Sequence, residues 1–214
     1  MSEPLVIVGV GGFGREALDV VRSINRNGAS PAFNFLGFVD DRPSDANLNR
    51  VRQMGETYLG TQSDWFAGGR AAKYVIGIGH PATRCTVDKA FNKRSLEPAT
   101  LIHPSAVVGS NSVIGLGSVI CAGVQISTNA ILGRHVHVNP NATIGHDVVI
   151  DDFVSINPAS TISGNVCIRQ LSLIGANAVI LQGLEVGPSS TVGAGACVTK
   201  IVDSDTVVKG IPAR

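Results

Sequence analysis

Residues 138–168 read VNPNATIGHDVVIDDFVSINPASTISGNVCI, and Val or Ile returns at 138, 144, 150, 156, 162 and 168. The same six-residue beat falls on Ile102, Val108, Ile114, Ile120, Ile126 and Leu132 before this stretch. After it the beat falls on Ile174, Ile180, Val186, Val192 and Val198, so seventeen hexads run from Ile102 to Asp203 without an insertion. This period is neither that of a helix nor the alternation of an ordinary strand. A unit so short cannot bury its own apolar residue, so the hexads must stack, and the expected architecture is a parallel β-helix. Three hexads close one triangular coil, which sets residues eighteen apart above one another at a strand spacing of about 4.8 Å. The beat residues fill the interior. The position four later is small or modestly apolar, as at Ala106, Ser112, Ala130, Val148, Val166, Ala178 and Ala196, and shares that interior.

The first hundred residues follow different rules. Nine of the ten aromatic residues precede Ile102, Phe153 being the exception. The expected division is 1–101, 102–203 and a tail of 204–214. A formal net charge of +1 with basic residues not bunched argues against a nucleic-acid or anionic-membrane surface as the main partner. The start, Met1-Ser-Glu-Pro, has no basic leader, and no apolar run reaches the length of a membrane helix, so a cytoplasmic protein is expected. Cys85, Cys121, Cys167 and Cys197 are widely spaced and form no CxxC pair, which predicts reduced packing residues with neither disulfide nor cysteine-bound metal.

Residues 4–10 (PLVIVGV) read as a buried strand entering Gly11-Gly12-Phe13-Gly14, with a helix from Arg15 to about Asn27. Gly9, Gly11 and Gly14 fit GxGxxG, and a second strand, Phe35 to Val39, ends at Asp40-Asp41, where such folds place an acid near a ribose. A third strand, Tyr74 to Gly79, precedes a helix from Pro81 to about Arg94. The expectation is a small Rossmann-like βαβ domain holding one nucleotide by its phosphates at a helix N-terminus. Only one mononucleotide half fits in a hundred residues, which disfavours hydride transfer.

Eighteen-residue columns sort the corners of the coil. One column reads Pro104, Ala122, Pro140, Pro158, Ala176, Ala194, without a polar side chain. It is either simply a well-made corner or a smooth wall for a thioester arm. Another reads Ser110, Thr128, His146, Gly164, Gln182, Lys200 and is polar. His146, followed by Asp147 and topped by Gly164, is the candidate general base, against the plainer reading of an exposed turn histidine. Lys200, three coils up and roughly 14 Å away, is a candidate for a phosphate at the far end of an acyl carrier. His135 and His137 with His146 invite a zinc site, which the different faces they occupy disfavour unless ligands converge between subunits. His80 and His103 are read as packing residues.

Taken in order, the glycine loop, Asp40-Asp41, Gly77-Ile-Gly79, Gly145-His-Asp-Val-Val-Ile-Asp-Asp-Phe, Ser163-Gly-Asn-Val and the ending Gly210-Ile-Pro-Ala-Arg resemble the nucleotide-sugar acetyltransferases over nearly the whole length. That family includes sialic-acid O-acetyltransferases and bacillosamine- or perosamine-type N-acetyltransferases. The resemblance implies a left-handed β-helix, a homotrimer with active sites between subunits, acetyl-CoA as co-substrate without metal, and a nucleotide-linked amino sugar as acceptor in surface glycan biosynthesis. It implies that His146 is the base and Asp147 its orienting partner. It puts Gly11, Gly12, Asp40, Asp41 and Gly79 at the sugar nucleotide, with Phe13 standing where some relatives have histidine. It puts Gly164, Ala176 and Ala194 along acetyl-CoA, and Ser155 where some relatives have a second histidine near the thioester carbonyl; Lys200 is added to the acetyl-CoA residues on its charge and column position. Rival readings are sugar O-acetylation by the same residues, a zinc hydratase of the β-helical carbonic anhydrase kind, and a non-catalytic nucleotide-binding scaffold.

Overall fold

The computed structural model of the chain describes residues 2–214. It begins with a three-stranded parallel sheet of order β2-β1-β3, built from β1 (Glu3–Val8), β2 (Phe33–Val39) and β3 (Lys73–Ile76). The sheet is covered on both faces, which is why β1 is apolar without alternation. Leu5 and Ile7 pack towards the side of helix α1 (Gly12–Asn27), while Val6 and Val8 join Trp65, Tyr74, Val87 and Phe91 on the other. The latter side is built by α3 (Gln62–Ala67) and α4 (Pro81–Asn92). Two of these elements escaped the sequence reading. Helix α2 (Asp45–Gln53) buries only Val51, so it has no apolar stripe to find, and α3 is six residues held by a Thr61–Asp64 capping box.

From Leu101 onward the chain is a left-handed parallel β-helix. Each hexad contributes a two-residue strand ending on the beat residue, from β4 (Leu101–Ile102) to β20 (Cys197–Val198). Successive coils pair at eighteen residues, for example Ile144 with Ile162 and Ile162 with Ile180. From Ile120 to Val198 the beat residues are buried, as expected, and Ile144, Val148, Ile150 and Val154 are all 0–1% exposed; in the first coil, which has no coil beneath it, Ile102 and Val108 are 38% and 39% exposed. Every hexad but the first and the last turns through a residue of positive φ. Asn fills this place at 111, 129, 141, 165 and 177, as its tolerance of the left-handed region predicts, whereas His135, Phe153 and Leu171 adopt it against their preference.

The three faces have different surroundings. On the lower four coils of the first face the outward residues Leu101, Val119, His137 and Ser155 are 0–1% exposed because the N-terminal domain lies on them, and one apolar core runs from Ile7 and Leu18 into Val119 and Ile120; higher up the face is open, and Val207 is 70% exposed. The second face (107–108 to 197–198) and third face (113–114 to 185–186) are not covered by that domain. Val107, Val113 and Ile131 are at least half exposed on them. The coil continues past its seventeen hexads: β21 (Val207–Val208) pairs with Thr191–Val192, and Val202 bridges to Val186, both at a spacing of sixteen.

Candidate active site

The polar corner lies between the second and third faces. His146 follows β11 (Thr143–Ile144) by two residues, and Asp147 takes the left-handed φ of 58°. Their side chains meet, His146 Nδ1 to Asp147 Oδ2 at 2.7 Å, and both are substantially exposed. Asp147 is held from the coil below by Asn129 Nδ2 at 3.0 Å. Hydrogen bonds from His146 and then Asn129 keep its carboxyl below the usual range, so it is an anion at neutral pH. With Nδ1–H given to Asp147, the Nε2 lone pair is left to accept a proton. Nε2 faces the coil above, where a Cβ on Gly164 would stand 2.5 Å from it. Any side chain there would occupy the place of the ring.

Register carries the column to its end, since Val198 pairs with Val179–Ile180 above Thr161–Ile162 and leaves Lys200 exposed at the same corner. Ala176 and Ala194 stand at a different corner, between the first and second faces. Within one chain, Gly164 and these two alanines therefore flank the second face and do not form a single track. Ser155 requires a correction. It is 1% exposed on the first face, donates to the Gly79 carbonyl at 2.8 Å and accepts from Arg84 Nη2 at 3.0 Å. Its hydroxyl is engaged inside the chain and turned to the N-terminal domain, away from any thioester on the surface. Register alone could place Ser155 outward on its strand but not say what covers that face.

The N-terminal domain has a cleft of about 360 Å³ at the carboxyl ends of its strands, lined among others by Gly9, Asp40, Asp41, Gln62, Ile78 and Thr83. This is where open parallel sheets take ligands. Gly11 and Gly12 have nothing within 4 Å of a Cβ, and no side chain caps α1, so its first N–H groups are free for an anion. Gly79 is similarly open. Gly14 differs, because its Cβ would stand 1.9 Å from the Gly9 carbonyl, so it is a packing glycine. Asp40 accepts from the amides of Val10 and Arg42, at 2.9 and 2.8 Å, and ties the glycine loop to the end of β2. Asp41 accepts from the Gln62 amide at 2.8 Å. Gln62 and Thr83 carried no signal in the sequence, since each joins the cleft through elements packed around it. Phe13, expected at the sugar nucleotide, is half-buried and stacks on His137 with centroids 4.4 Å apart, which keys the glycine loop to the coil.

Between the two parts lies a buried polar layer that spacing did not reveal. Arg84 is 0% exposed, and burial lowers its guanidinium to about 9, still charged at neutral pH. Asp88 is 4% exposed, accepts from Tyr74 Oη at 2.6 Å and Asn92 Nδ2 at 2.9 Å, and lies 2.7 Å from His135 Nε2. That last approach is short but misaligned for a hydrogen bond. Burial pushes the Asp88 carboxyl up, but His135 and Tyr74 outweigh it and the net shift is downward. His137 is held neutral by burial and by the charge of Arg84. His135 and His137 thus both face the N-terminal domain, on the side away from His146. No cluster of three metal-ligating side chains occurs among the described residues. The four cysteines are free, and burial pushes the Cys121 thiol up to about 12.

A carboxyl whose folded pKa is depressed contributes stability that is complete above its unfolded value, near 3.9, and lost as pH falls through the folded value. Asp88→Asn is therefore expected to cost about 1–3 kcal/mol at pH 7 and progressively less below about pH 4. Urea unfolding of both proteins at pH 7 and in acid checks this. An equal gap at both would show that the charge of Asp88 is not involved.

Residues 4–90 match the PglD N-terminal domain family. No curated protein sequence matches the chain. Among solved structures, the acetyltransferase domain of PglB from Neisseria gonorrhoeae, in complex with acetyl coenzyme A, is 27% identical over 100% of this chain and 99% of that one, with a TM-score of 0.87. WeeI from Acinetobacter baumannii is 27% identical over 98% of each chain, with a TM-score of 0.82. PerB from Caulobacter crescentus, in complex with CoA and GDP-perosamine, has the same fold at 23% identity, covering 99% of this chain and 96% of that one, with a TM-score of 0.80. The chain thus joins a segment matching the PglD N-terminal domain to a left-handed hexapeptide β-helix, a build it shares over nearly its whole length with the acetyltransferase domain of PglB.

Proposed function

We propose that the protein transfers the acetyl group of acetyl-CoA to the amino group of a nucleotide-linked amino sugar, with His146 as general base. The observation that carries this reading is the His146–Asp147 pair, whose Nε2 is free and faces the space kept open by Gly164. The neutral sugar amine attacks the thioester carbonyl carbon, Nε2 takes the proton the nitrogen sheds, and the tetrahedral intermediate collapses with rupture of the C–S bond. The proton on Nε2 then passes to the departing thiolate, which leaves as CoA with a free thiol. Asp147 holds the ring in the required tautomer and stabilises the imidazolium between these steps. No covalent enzyme intermediate is needed.

The sugar nucleotide is held at the 360 Å³ cleft with its phosphates at the start of α1. That domain lies on the first face, and in a triangular coil the His146 corner is the edge opposite that face. A substrate held by one chain's cleft therefore reaches the His146 of another chain, which supports a homotrimer with sites between subunits. Exposed Val107, Val113 and Ile131 on the two uncovered faces give such an assembly apolar surface to bury. There the His146 corner of one chain meets the Pro/Ala corner of its neighbour, and the CoA arm runs between Gly164 on one side and Ala176 and Ala194 on the other, with Lys200 further up towards its phosphates.

Incubation with acetyl-CoA and a panel of UDP-, dTDP- and GDP-linked amino sugars, read by mass spectrometry, is expected to add one acetyl group to an amino sugar and release CoA. Acetylation only of hydroxyl groups would replace this reading with sugar O-acetylation. Nucleotide binding without CoA release would replace it with a scaffold.

A further inference from the structure

Arg84 sits on the first turn of α4, at the seam between the cleft and the coil. Towards the cleft it donates from Nη1 to the carbonyls of Ile78 and Gly79, at 2.9 and 3.1 Å. Towards the coil it donates from Nε to His135 O at 2.9 Å. Nη2 reaches Phe153 O, Val154 O and Ser155 Oγ at 2.7, 3.1 and 3.0 Å. One planar group thus ties the loop after β3 to two successive coils. Ile78 is itself a wall of the cleft, and the Gly79 carbonyl is held a second time by the Ser155 hydroxyl.

Holding two surfaces together does not require this arrangement. Lower on the same face Leu101 and Val119 do so with apolar contact alone, at 0% exposure and without the cost of burying a charge. Arg84 is surrounded by carbonyl and hydroxyl oxygens, and no carboxylate is among its hydrogen-bond partners. What a guanidinium adds to simple adhesion is direction, because its N–H groups form a rigid fork. The carbonyls it takes at His135 and Phe153 come from two corners that hold positive φ without Asn or Gly, a conformation that costs about 1 kcal/mol or more each. The two rings stack, 5.3 Å apart and 4° from parallel, so the two corners are packed on each other beside Arg84.

We propose that Arg84 is a positioning residue for acetyl transfer: it sets the acceptor-binding cleft at a fixed distance and angle to the coil that carries the thioester and the base. The inference rests on the acetyl transfer proposed above. It holds whichever neighbouring coil receives the acceptor, since coils packed in one assembly move as one body with the domain keyed to them.

The test compares Arg84→Gln, Arg84→Lys and Ser155→Ala with the parent full-length chain, measuring kcat, both KM values and the melting temperature. Arg84→Gln is expected to lower kcat and raise the acceptor KM, each by about tenfold, since a misplacement of about 1 Å can cost as much as a hundredfold. The KM for acetyl-CoA should stay within about twofold, because Arg84 acts on the acceptor side alone. Arg84→Lys should restore part of the loss, having the charge without the fork, and Ser155→Ala should show a smaller loss of the same kind. If Arg84→Gln does not fold, the other two variants carry the comparison. A lowered melting temperature with kcat and acceptor KM unchanged per folded protein would reduce Arg84 to a staple and overturn the proposal, as would an equal rise in both KM values. Should the parent acetylate no amino sugar, the transfer reading itself fails, and UDP and GDP binding by calorimetry takes over as the measure. There Arg84→Gln is expected to weaken binding by about tenfold; unchanged affinity, or a parent that binds neither nucleotide, overturns the proposal.

Discussion

His146→Ala is expected to lower kcat by about 10²- to 10⁴-fold, the contribution of a well-placed general base. The KM for acetyl-CoA should change little, because Nε2 interacts with a proton that moves only as the new bond forms. The melting temperature should also hold, since the His146 side chain is 56% exposed and supports no packing. Its loss leaves Asp147 still held by Asn129. Steady-state kinetics with the acceptor identified from the panel, alongside calorimetry, measures all three. Turnover that survives at the parent rate would remove His146 from the mechanism and with it the reading of the polar corner.

Gly164→Ala is expected to have the next largest effect, about a hundredfold in kcat, without loss of fold. The added methyl would stand 2.5 Å from Nε2 and 2.6 Å from Cε1 of His146. The imidazole is exposed and attached by flexible torsions, so the ring is the part that yields, and the coil does not. Swinging away breaks its 2.7 Å contact with Asp147 and moves the proton acceptor off the reacting nitrogen. The glycine has no positive φ, so the backbone has no objection to a side chain. A melting temperature equal to the parent's beside a collapsed kcat is the expected signature. A melting temperature that drops with the rate would show that Gly164 serves the stacking of the coil instead.

The coil was legible because its interior is periodic. A residue that must point inward every six places writes itself into the sequence, and the same count lifts His146, Gly164 and Lys200 into one corner. The glycine loop and Asp40 were legible because strand, turn and acid follow one another within a short segment. What stayed hidden depends on which coil face the N-terminal domain covers. His137 and Ser155 look like any outward residues of a two-residue strand, and only contact with Phe13, Gly79 and Arg84 turns them into a buried layer. Arg84 lies on α4, 51 to 71 positions from its partners on the coil, beyond the reach of any local pattern. Gln62 escaped because α3 is too short to show a stripe.

The change of spacing at the end of the coil bears on how such a chain tolerates insertions and deletions. One residue added inside a coil would turn every later beat residue outward, so length can change there only in whole hexads, and the three faces keep their order only in eighteens. Gains and losses of other sizes are harmless where nothing above must stay in register. The spacing is still eighteen between Ile180 and Val198 but sixteen between Val186 and Val202 and between Val192 and Val208, so a single loss of two residues falls between Val198 and Val202, in the last turn. The body of the coil is therefore open to substitution at its surface but closed to small changes of length, and lineages of this chain should differ in length at the ends and in the N-terminal loops.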